Sequence, residues 1–491
     1  MTHDYAGLFQ ALRPETSLVI GAMVALGLDL SFFRTRSIGE RARLARFIAA
    51  LAVVGAIVHV NAFGPHGPVF AGVLLFDAFA HATRLGVLVL ALLTLGLPIT
   101  VRTTRNPAEQ VAVLLFATTG FLLMAVAQQL LLAFLALELA SLSLYVLAGF
   151  DKSRPESAKA GLKYFLFGAM AAAFLLFGFS LLYGITGSIE FPEIAAQLSA
   201  AGSSPLLLVA FVMILVAFGF KIAAAPFHLW APDIYEGAPT LSTALIASAS
   251  KLAGFTLFYR LLWSGLSTGV GATQYHDAAL PEWWNVLAVV SAASMLVGNL
   301  GALAQSNLRR LLAYSAIAHA GALLIGVLSA SVSGPAPLFF YAFSYGLATV
   351  GAFAVIAVIE LSGPCEKISD LAGLHRRSPL LAGCLAIFVL SLAGIPPLAG
   401  FFGKFVVFAS ALQLGGLSTP AGWLAILALG FSAVALYYYV MLLKQALVAG
   451  PASGVRPIAV PFGARIALLI LAGLIVATGV WPAALLDLFS R

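Results

Sequence analysis

The feature that most constrains this chain is a series of long, uninterrupted apolar runs. Each is close to the roughly 20 residues that a helix needs to cross a bilayer. Fourteen such runs lie between charged or Gly- and Pro-rich breaks, at 16–33, 47–64, 74–99, 111–129, 131–150, 161–184, 205–230, 240–265, 284–304, 309–329, 337–361, 379–411, 421–445 and 465–487. A membrane β-barrel would alternate apolar and polar residues instead. The sequence therefore predicts an all-α polytopic membrane protein with about 14 transmembrane helices.

Composition excludes several other classes of protein. Charged residues make up 9% of the chain, against about 25% in soluble domains. Cys365 and Cys384 form no CxxC pair, so neither a disulfide scaffold nor a cysteine-held metal or iron–sulfur site is expected. The chain also has no GxGxxG after a strand and no P-loop. We expect no redox cofactor, metal or ATP site in it.

The basic residues predict how the helices are oriented. Of the 26 lysines and arginines, 19 fall on one set of alternating loops and four on the other. This asymmetry is the positive-inside pattern of a multi-pass protein. It places both termini on the non-cytoplasmic side of the membrane. The net charge of +7 reflects this orientation, and no nucleic-acid partner is expected.

Apart from those near helix ends, four charged residues lie well inside the apolar runs, where charges are expensive. They are the lysines Lys221, Lys251 and Lys404 and the acid Glu138. Each costs about 2.5–3.5 kcal/mol at the bilayer centre. Structural ion pairing is one interpretation, but one acid cannot neutralise three bases. Burial opposes the ammonium form of a lysine and a nearby carboxylate favours it, so such coupled groups can load and release protons. A proton path is the favoured interpretation.

Prolines stand close to two of these lysines. Pro226 follows Lys221 in the seventh predicted span, and Pro396 and Pro397 precede Lys404 in the twelfth. Proline removes a backbone donor and clashes with the preceding turn. Broken helices in corresponding places are typical of transport sites. We therefore predict breaks in spans 7 and 12.

The spacing of the polar residues indicates an internal repeat. Glu138 precedes Lys221 by 83 residues, and His319 precedes Lys404 by 85. Five-span units are odd-numbered, so the second copy must start from the opposite face of the membrane. Lys251 would lie near the junction. The predicted division is an N-terminal three-helix segment at 1–110, a first repeat at 111–265, an inverted second repeat at 284–445 and a C-terminal helix 14 within 446–491.

Histidines and tyrosines in the spans have less decisive patterns. His319 fits either a relay or hydrogen-bonded packing, and its place in the repeat favours the relay. His228, at the end of the seventh span, is a weaker relay candidate. The run of Tyr437, Tyr438 and Tyr439 in the thirteenth span is interpreted as packing or interface anchors.

Several motifs together resemble the antiporter-like membrane subunits of respiratory complex I, the proton-pumping NADH–quinone oxidoreductase. They are LALELASLSLYVL, KIAAAPFHLWAPDIYEGAP, SASKLAGF, RRLLAYSAIAHAG and LAGIPPLAGFFGKF. Among the three types of such subunit, the chain is most similar to the N type, since the M type usually carries glutamate where Lys404 stands. The resemblance implies that Glu138 and Lys221 are a coupled pair, Lys251 a connecting lysine and Lys404 the terminal lysine. It adds Lys163, near the cytoplasmic end of the sixth span.

The resemblance also implies a division of labour among subunits. This chain would move protons as part of a translocase, without redox chemistry of its own. Flavin, iron–sulfur clusters and quinone would be bound by partner subunits of the membrane and peripheral arms. Two alternatives stay open from the sequence: a subunit of a multi-subunit Na⁺/H⁺ antiporter, and a structural membrane scaffold whose buried charges only pair.

Overall fold

The structure is a computed structural model that describes residues 5–64, 66–98, 105–201, 204–267, 282–450 and 457–489. The basic residues Arg102, Arg456 and Arg491, which enter the orientation argument, lie outside the described residues. The segments 1–110 and 446–491 are described only in part.

The described chain is nearly all helical, which confirms the predicted class. Thirteen of its helical segments are long and apolar enough to cross a membrane. Helices of 18 residues or more are α3 (Ile38–Phe63), α4 (Ala78–Leu95), α5 (Pro107–Val126), α6 (Leu130–Ala148), α7 (Pro155–Thr186), α9 (Pro205–Ile222), α13 (Glu282–Leu303), α14 (Leu308–Leu328), α16 (Ala336–Glu360), α20 (Pro420–Leu447) and α21 (Phe462–Val480). The first and eighth spans are composite: α2 (Arg13–Leu28) runs into a π-helical turn at Asp29–Phe33, and α11 (Thr240–Ala247) is followed by α12 (Ala249–Arg260) and a π-helical turn at Leu261–Gly265.

Two shorter helices occupy the twelfth predicted span. They are α18 (Pro379–Ala393) and α19 (Ala399–Gln413), separated by a turn that holds Pro396 and Pro397. In the seventh span α9 ends at Ile222, and the chain turns through Pro226 before α10 (Ala231–Gly237). A further interruption lies at Ser248 between α11 and α12, with no proline next to it.

The remaining elements are short and lie at helix ends. They are α1 (Tyr5–Ala11), α8 (Phe191–Ala201), α15 (Ala330–Ser333), α17 (Leu374–Arg377), α22 (Ala483–Leu486), the 3₁₀ turns Ile368–Leu371, Gly416–Ser418 and Asp487–Phe489, and an antiparallel pair, β1 (Gly67–Val69) and β2 (Leu74–Phe76). The predicted third span, 74–99, is therefore too long at its start, because its first apolar residues form β2. The Asp77 side chain then caps α4 by accepting the Ala80 N–H.

Helix starts follow the capping chemistry of the sequence. Proline occupies the first turn of α5, α7, α9 and α20, where its missing N–H costs nothing. Ser37 and Glu40 form a reciprocal capping box at α3, and Ser204 caps α9. These signals fix the helix starts within the apolar runs.

Burial separates central helices from peripheral ones. α16 and the span Thr240–Gly265 are buried along their whole apolar windows, whereas α3, α7 and α21 each bury about a third. Near the N-terminus a buried ion pair joins the first and third spans, since Arg84 Nη2 donates to both carboxylate oxygens of Glu15 at 2.8 Å. The central helices are the ones that carry Lys251 and the tyrosines Tyr341 and Tyr345.

Candidate functional site: a row of buried ionisable residues

Glu138 and Lys221 form no salt bridge, and Lys221 bonds instead to a serine near Glu138 on α6. Lys221, only 2% exposed, donates from Nζ to Ser141 Oγ at 3.1 Å. Ser141 is one turn after Glu138 on α6, so the two side chains are neighbours on one helix face. Glu138 forms no salt bridge with any residue that the structure describes, and its Oε1 is buried without a hydrogen-bond partner there. The carboxylate and the ammonium are coupled at a distance, not locked as a pair.

Backbone groups around the helix break after Lys221 form hydrogen bonds with nearby side chains. Ala223 adopts a left-handed conformation (φ 58°) that ends α9. The indole Nε1 of Trp230 donates to the carbonyl of Phe220 at 2.9 Å, and the Ala225 N–H donates to Ser294 Oγ at 2.8 Å. Groups freed in a membrane-spanning segment need such partners. The turn around Pro226 is thereby tied to α13.

His228 lies in this same turn. It is buried, and its Nδ1 has no hydrogen-bond partner among the described residues. In the described part of the chain no hydrogen bond joins it to the buried lysines, so the structure does not bring it into their hydrogen-bonded surroundings.

Lys251 lies three residues after the interruption at Ser248. It is 2% exposed, and its Nζ donates to the carbonyl of Ala316 on α14 at 2.5 Å. The same nitrogen is 5.5 Å from the centroid of the Tyr345 ring. The stem of Lys221 packs close to Gly254, one turn further along α12, so the surroundings of the two lysines adjoin.

His319 is held by two tyrosines from different helices. Its Nδ1 is 2.7 Å from the hydroxyl of Tyr341 on α16, and its Nε2 is 3.3 Å from the hydroxyl of Tyr439 on α20. Its ring centroid is 4.9 Å from that of Tyr345, the ring that also faces Lys251. The imidazole is therefore packed next to the surroundings of Lys251.

Lys404 closes the second break. Its Nζ donates to the carbonyl of Ala393, the last residue of α18, at 2.9 Å. Its stem lies against Gly394, whose φ of +87° is a left-handed conformation that favours glycine. A small cavity of about 20 Å³ is lined in part by His319, Lys404 and Tyr341. The histidine and the terminal lysine thus face a common space.

These contacts connect five ionisable residues, which we call the buried row: the half-buried Glu138 and the buried Lys221, Lys251, His319 and Lys404. The links between them are hydroxyls, ring faces and a cavity. The described residues contain no group of three or more His, Cys, Asp or Glu side chains that could hold a metal ion.

Lys163 is not part of the buried row. It forms an ion pair with Asp233 on α10. Arg310 forms ion pairs with both Asp233, at 2.6 Å, and Glu236, at 2.8 Å. Burial by itself raises the pKa of Asp233, but hydrogen bonds and charge from Lys163 and Arg310 bring it below its ordinary value. The side chains of this cluster are about a third exposed, so Lys163 lies at the edge of the protein rather than in its centre.

Sequence reasoning did not identify the hydroxyl groups that connect the charges. Tyr341 and Tyr345 lie in no distinctive motif, and Ser141 is one of three serines and tyrosines in LALELASLSLYVL, with nothing to single it out. The three tyrosines of α20 were interpreted as packing or interface anchors, and Tyr437 is indeed 63% exposed. Tyr438 and Tyr439 are instead buried. Tyr438 donates to Asn299 Oδ1 at 3.3 Å, and Tyr439 contacts His319 and Ser315.

Comparisons with known proteins agree on one family. Residues 127–434 match the family model described as NADH:quinone oxidoreductase/Mrp antiporter, transmembrane. "NADH-quinone oxidoreductase subunit N 2" of Acidobacterium capsulatum is 46% identical over 98% of each chain. Among solved structures, respiratory complex I from Thermus thermophilus with bound Aureothin contains a chain with a TM-score of 0.79 and 34% identity, over 96% of this chain and 98% of that one. The Mrp complex from Dietzia sp. DQ12-45-1b gives a TM-score of 0.79 at 23% identity, over 100% and 96%, a likeness of fold alone.

Proposed function

Because the chain belongs to the family of NADH:quinone oxidoreductase and Mrp antiporter membrane subunits, we propose that it is a proton-translocating membrane-arm subunit of an NADH–quinone oxidoreductase, of the subunit N type. The observation that carries the proposal is the buried row. Five ionisable residues in apolar surroundings are costly, and such residues mark ion pathways and proton relays. The 46% identical relative carries the name of subunit N.

In this proposal protons pass between neighbouring members of the buried row. Glu138 sets the charge near Lys221, Lys251 connects that pair to His319, and Lys404 is the terminal group. Neutralising or charging one residue changes the balance at the next, because coupled sites titrate together. The proposal extends to two flanking residues: Lys163, through its ion pair with Asp233, and His228, in the turn after Lys221.

We place the row on an inverted five-helix repeat at 111–265 and 284–445, flanked by 1–110 and 446–491. Support comes from the matching positions of the two lysines. Lys221 lies next to the interruption of the seventh span, two spans after Glu138. Lys404 lies next to the interruption of the twelfth span, two spans after His319. A repeat of this kind gives each half one place where backbone groups leave the helix and a charge can be held.

The energy for proton movement would come from partner subunits. Among the described residues no cluster is suited to a metal, and the sequence lacks nucleotide motifs. We therefore assign flavin, iron–sulfur clusters and quinone to the other membrane and peripheral subunits of the complex. In that arrangement the chain contributes proton transfer to a translocase and no bond chemistry.

We further propose that the protein lies in a bacterial inner membrane with both termini on the non-cytoplasmic side. The bacterial relatives and the 19-to-four distribution of basic residues support this. Reporter fusions after Arg46, Arg310 and Arg377 should read cytoplasmic, and fusions near Pro192 and Pro335 should read the opposite side. A reversal between neighbouring loops would contradict the proposed topology.

The experiment that decides between pump subunit and independent antiporter uses the full chain in two settings. In native membranes it should co-purify with NADH dehydrogenase activity. The purified chain in liposomes should exchange no Na⁺ for H⁺ under an imposed gradient, because an ammonium repels Na⁺ and a sodium site needs several converging oxygens. Sodium-dependent proton exchange by the isolated chain would contradict the proposal and favour the antiporter alternative.

A further inference from the structure

The surroundings of His319 are unusual for a buried imidazole, because a phenol faces each ring nitrogen. The hydroxyls of Tyr341 and Tyr439 are 2.7 Å from Nδ1 and 3.3 Å from Nε2. All three residues are less than a tenth exposed. Tyr439 also contacts Ser315, which lies one turn before His319 on α14, so its hydroxyl is held on the histidine's own helix. We call these three residues the Tyr341–His319–Tyr439 triad.

The chemistry of the two partners matters more than their number. In a neutral imidazole one nitrogen donates and the other accepts, and which does so depends on the tautomer. A hydroxyl can take either role, so both hydrogen bonds persist in both tautomers. A carbonyl partner would accept only and would fix one tautomer. The triad therefore leaves the ring free to receive a proton at one nitrogen and release the other proton from the opposite nitrogen.

The groups around the triad also adjoin two other members of the buried row. Tyr341 lines the cavity that Lys404 also lines. The His319 ring packs against Tyr345, whose ring centroid is 5.5 Å from Lys251 Nζ. The hydrogen bonds of the triad fix the directions of the ring nitrogens, and both lysines lie next to groups that contact the ring.

We propose that Tyr439 and Tyr341 are positioning residues for proton transfer through His319 between Lys251 and Lys404. The inference rests on the proposed function and deepens it. One proton enters at one ring nitrogen and one leaves from the other, so the net charge of the ring is restored after each transfer. The phenols keep the ring aligned in both states and need not ionise.

The geometry of α20 provides a matched control. Successive residues of a helix point about 100° apart, so the three consecutive tyrosines face different surroundings. Tyr437 is exposed on the outer surface, whereas Tyr439, a member of the triad, is fully buried. The same Tyr→Phe change can therefore be made two residues apart, with and without contact to His319.

The experiment measures proton pumping and NADH–quinone turnover of the assembled complex in inverted membrane vesicles. We expect Tyr439→Phe to lower both by about two- to tenfold, the size of one lost hydrogen bond. We expect Tyr437→Phe to match the wild type. Tyr341→Phe is the second variant, and it should behave like Tyr439→Phe. Native gels establish that each variant assembles.

A double-mutant cycle separates positioning from a merely structural role. If the tyrosines act through the histidine, adding Tyr439→Phe or Tyr341→Phe to His319→Gln should cause no further loss. The inference would be overturned if the losses of the single variants multiplied in the double variants, or if both Tyr→Phe variants pumped like the wild type. Wild-type pumping by His319→Gln alone would show instead that the proposed relay does not use this residue, a failure of the proposed function.

Discussion

The most informative perturbation is at Lys404, because the structural contact of this residue and its proposed relay role can be separated. Its Nζ caps the end of α18 through the carbonyl of Ala393 at 2.9 Å, and its charge is the terminal member of the buried row. Lys404→Ala removes the donor and the charge. Lys404→Gln keeps a donor without a titratable charge, and Lys404→Arg keeps both.

The structural part can be sized from the contact. A hydrogen bond from a charged donor contributes about 1.5–3 kcal/mol, and an unsatisfied buried carbonyl costs about 1–3 kcal/mol. Lys404→Ala should therefore destabilise the subunit by roughly 2–3 kcal/mol, and Lys404→Gln by less. The effect on proton pumping should rank the variants differently from the effect on stability, since proton transfer needs a group that titrates. Pumping should fall at least about tenfold, or about 1.4 kcal/mol of barrier, in both neutral variants, with Lys404→Arg milder.

The assay is fluorescence quenching of a pH dye in inverted membrane vesicles, with NADH–quinone turnover and native gels measured on the same preparations. Lys444→Ala is the control, because that lysine is exposed at the end of α20. If Lys404→Gln assembles and pumps like the wild type while Lys404→Ala fails, the residue is a cap and not a relay. That outcome would refute the role assigned to it here.

Three further predictions concern the rest of the molecule. Arg84→Met should cost about 3–5 kcal/mol of stability, because it leaves Glu15 buried without its partner, and the double change with Glu15→Gln should recover part of it in thermal denaturation of the complex. The pKa of Asp233 is lowered in the folded protein, so its contribution to stability is present above about pH 4 and is lost as the pH falls through its folded pKa; the stability difference between wild type and Asp233→Asn should shrink in acid and stay constant at neutral pH. Burial raises the pKa of Cys365 to about 12, so alkylation at pH 8 should be absent in the folded protein and rapid after denaturation. Mass spectrometry measures the alkylation, and a modified Cys365 in the folded protein would contradict the prediction.

The sequence alone was enough for the class of protein and for most of its helices. Runs of about 20 apolar residues leave a helix as the only way to satisfy the backbone in lipid. The fourteen predicted segments are occupied by thirteen long spans and the pair α18 and α19. Errors appear where chemistry other than hydrophobicity decides, as at Leu74–Phe76, which pair as a strand although they are apolar.

The sequence also identified the ionisable residues of the buried row. A charge in an apolar run is conspicuous because of its cost, and this makes Glu138, Lys221, Lys251 and Lys404 visible without a structure. The motifs of the family added Lys163. Its surface ion pair with Asp233 could not be read from spacing, because the two residues are 70 positions apart.

Only the tertiary structure decided which groups connect the charges. The partners of the lysines are a serine hydroxyl, two backbone carbonyls and aromatic faces, all of which are common in membrane helices and carry no signal of their own. Tyr437 and Tyr439 are identical in type and two residues apart, yet one is exposed and the other contacts His319. The direction in which each points depends on how α20 packs against α13, α14 and α19, contacts between residues distant in sequence. Composition determines that such a helix enters the membrane, and packing determines which of its faces meets His319.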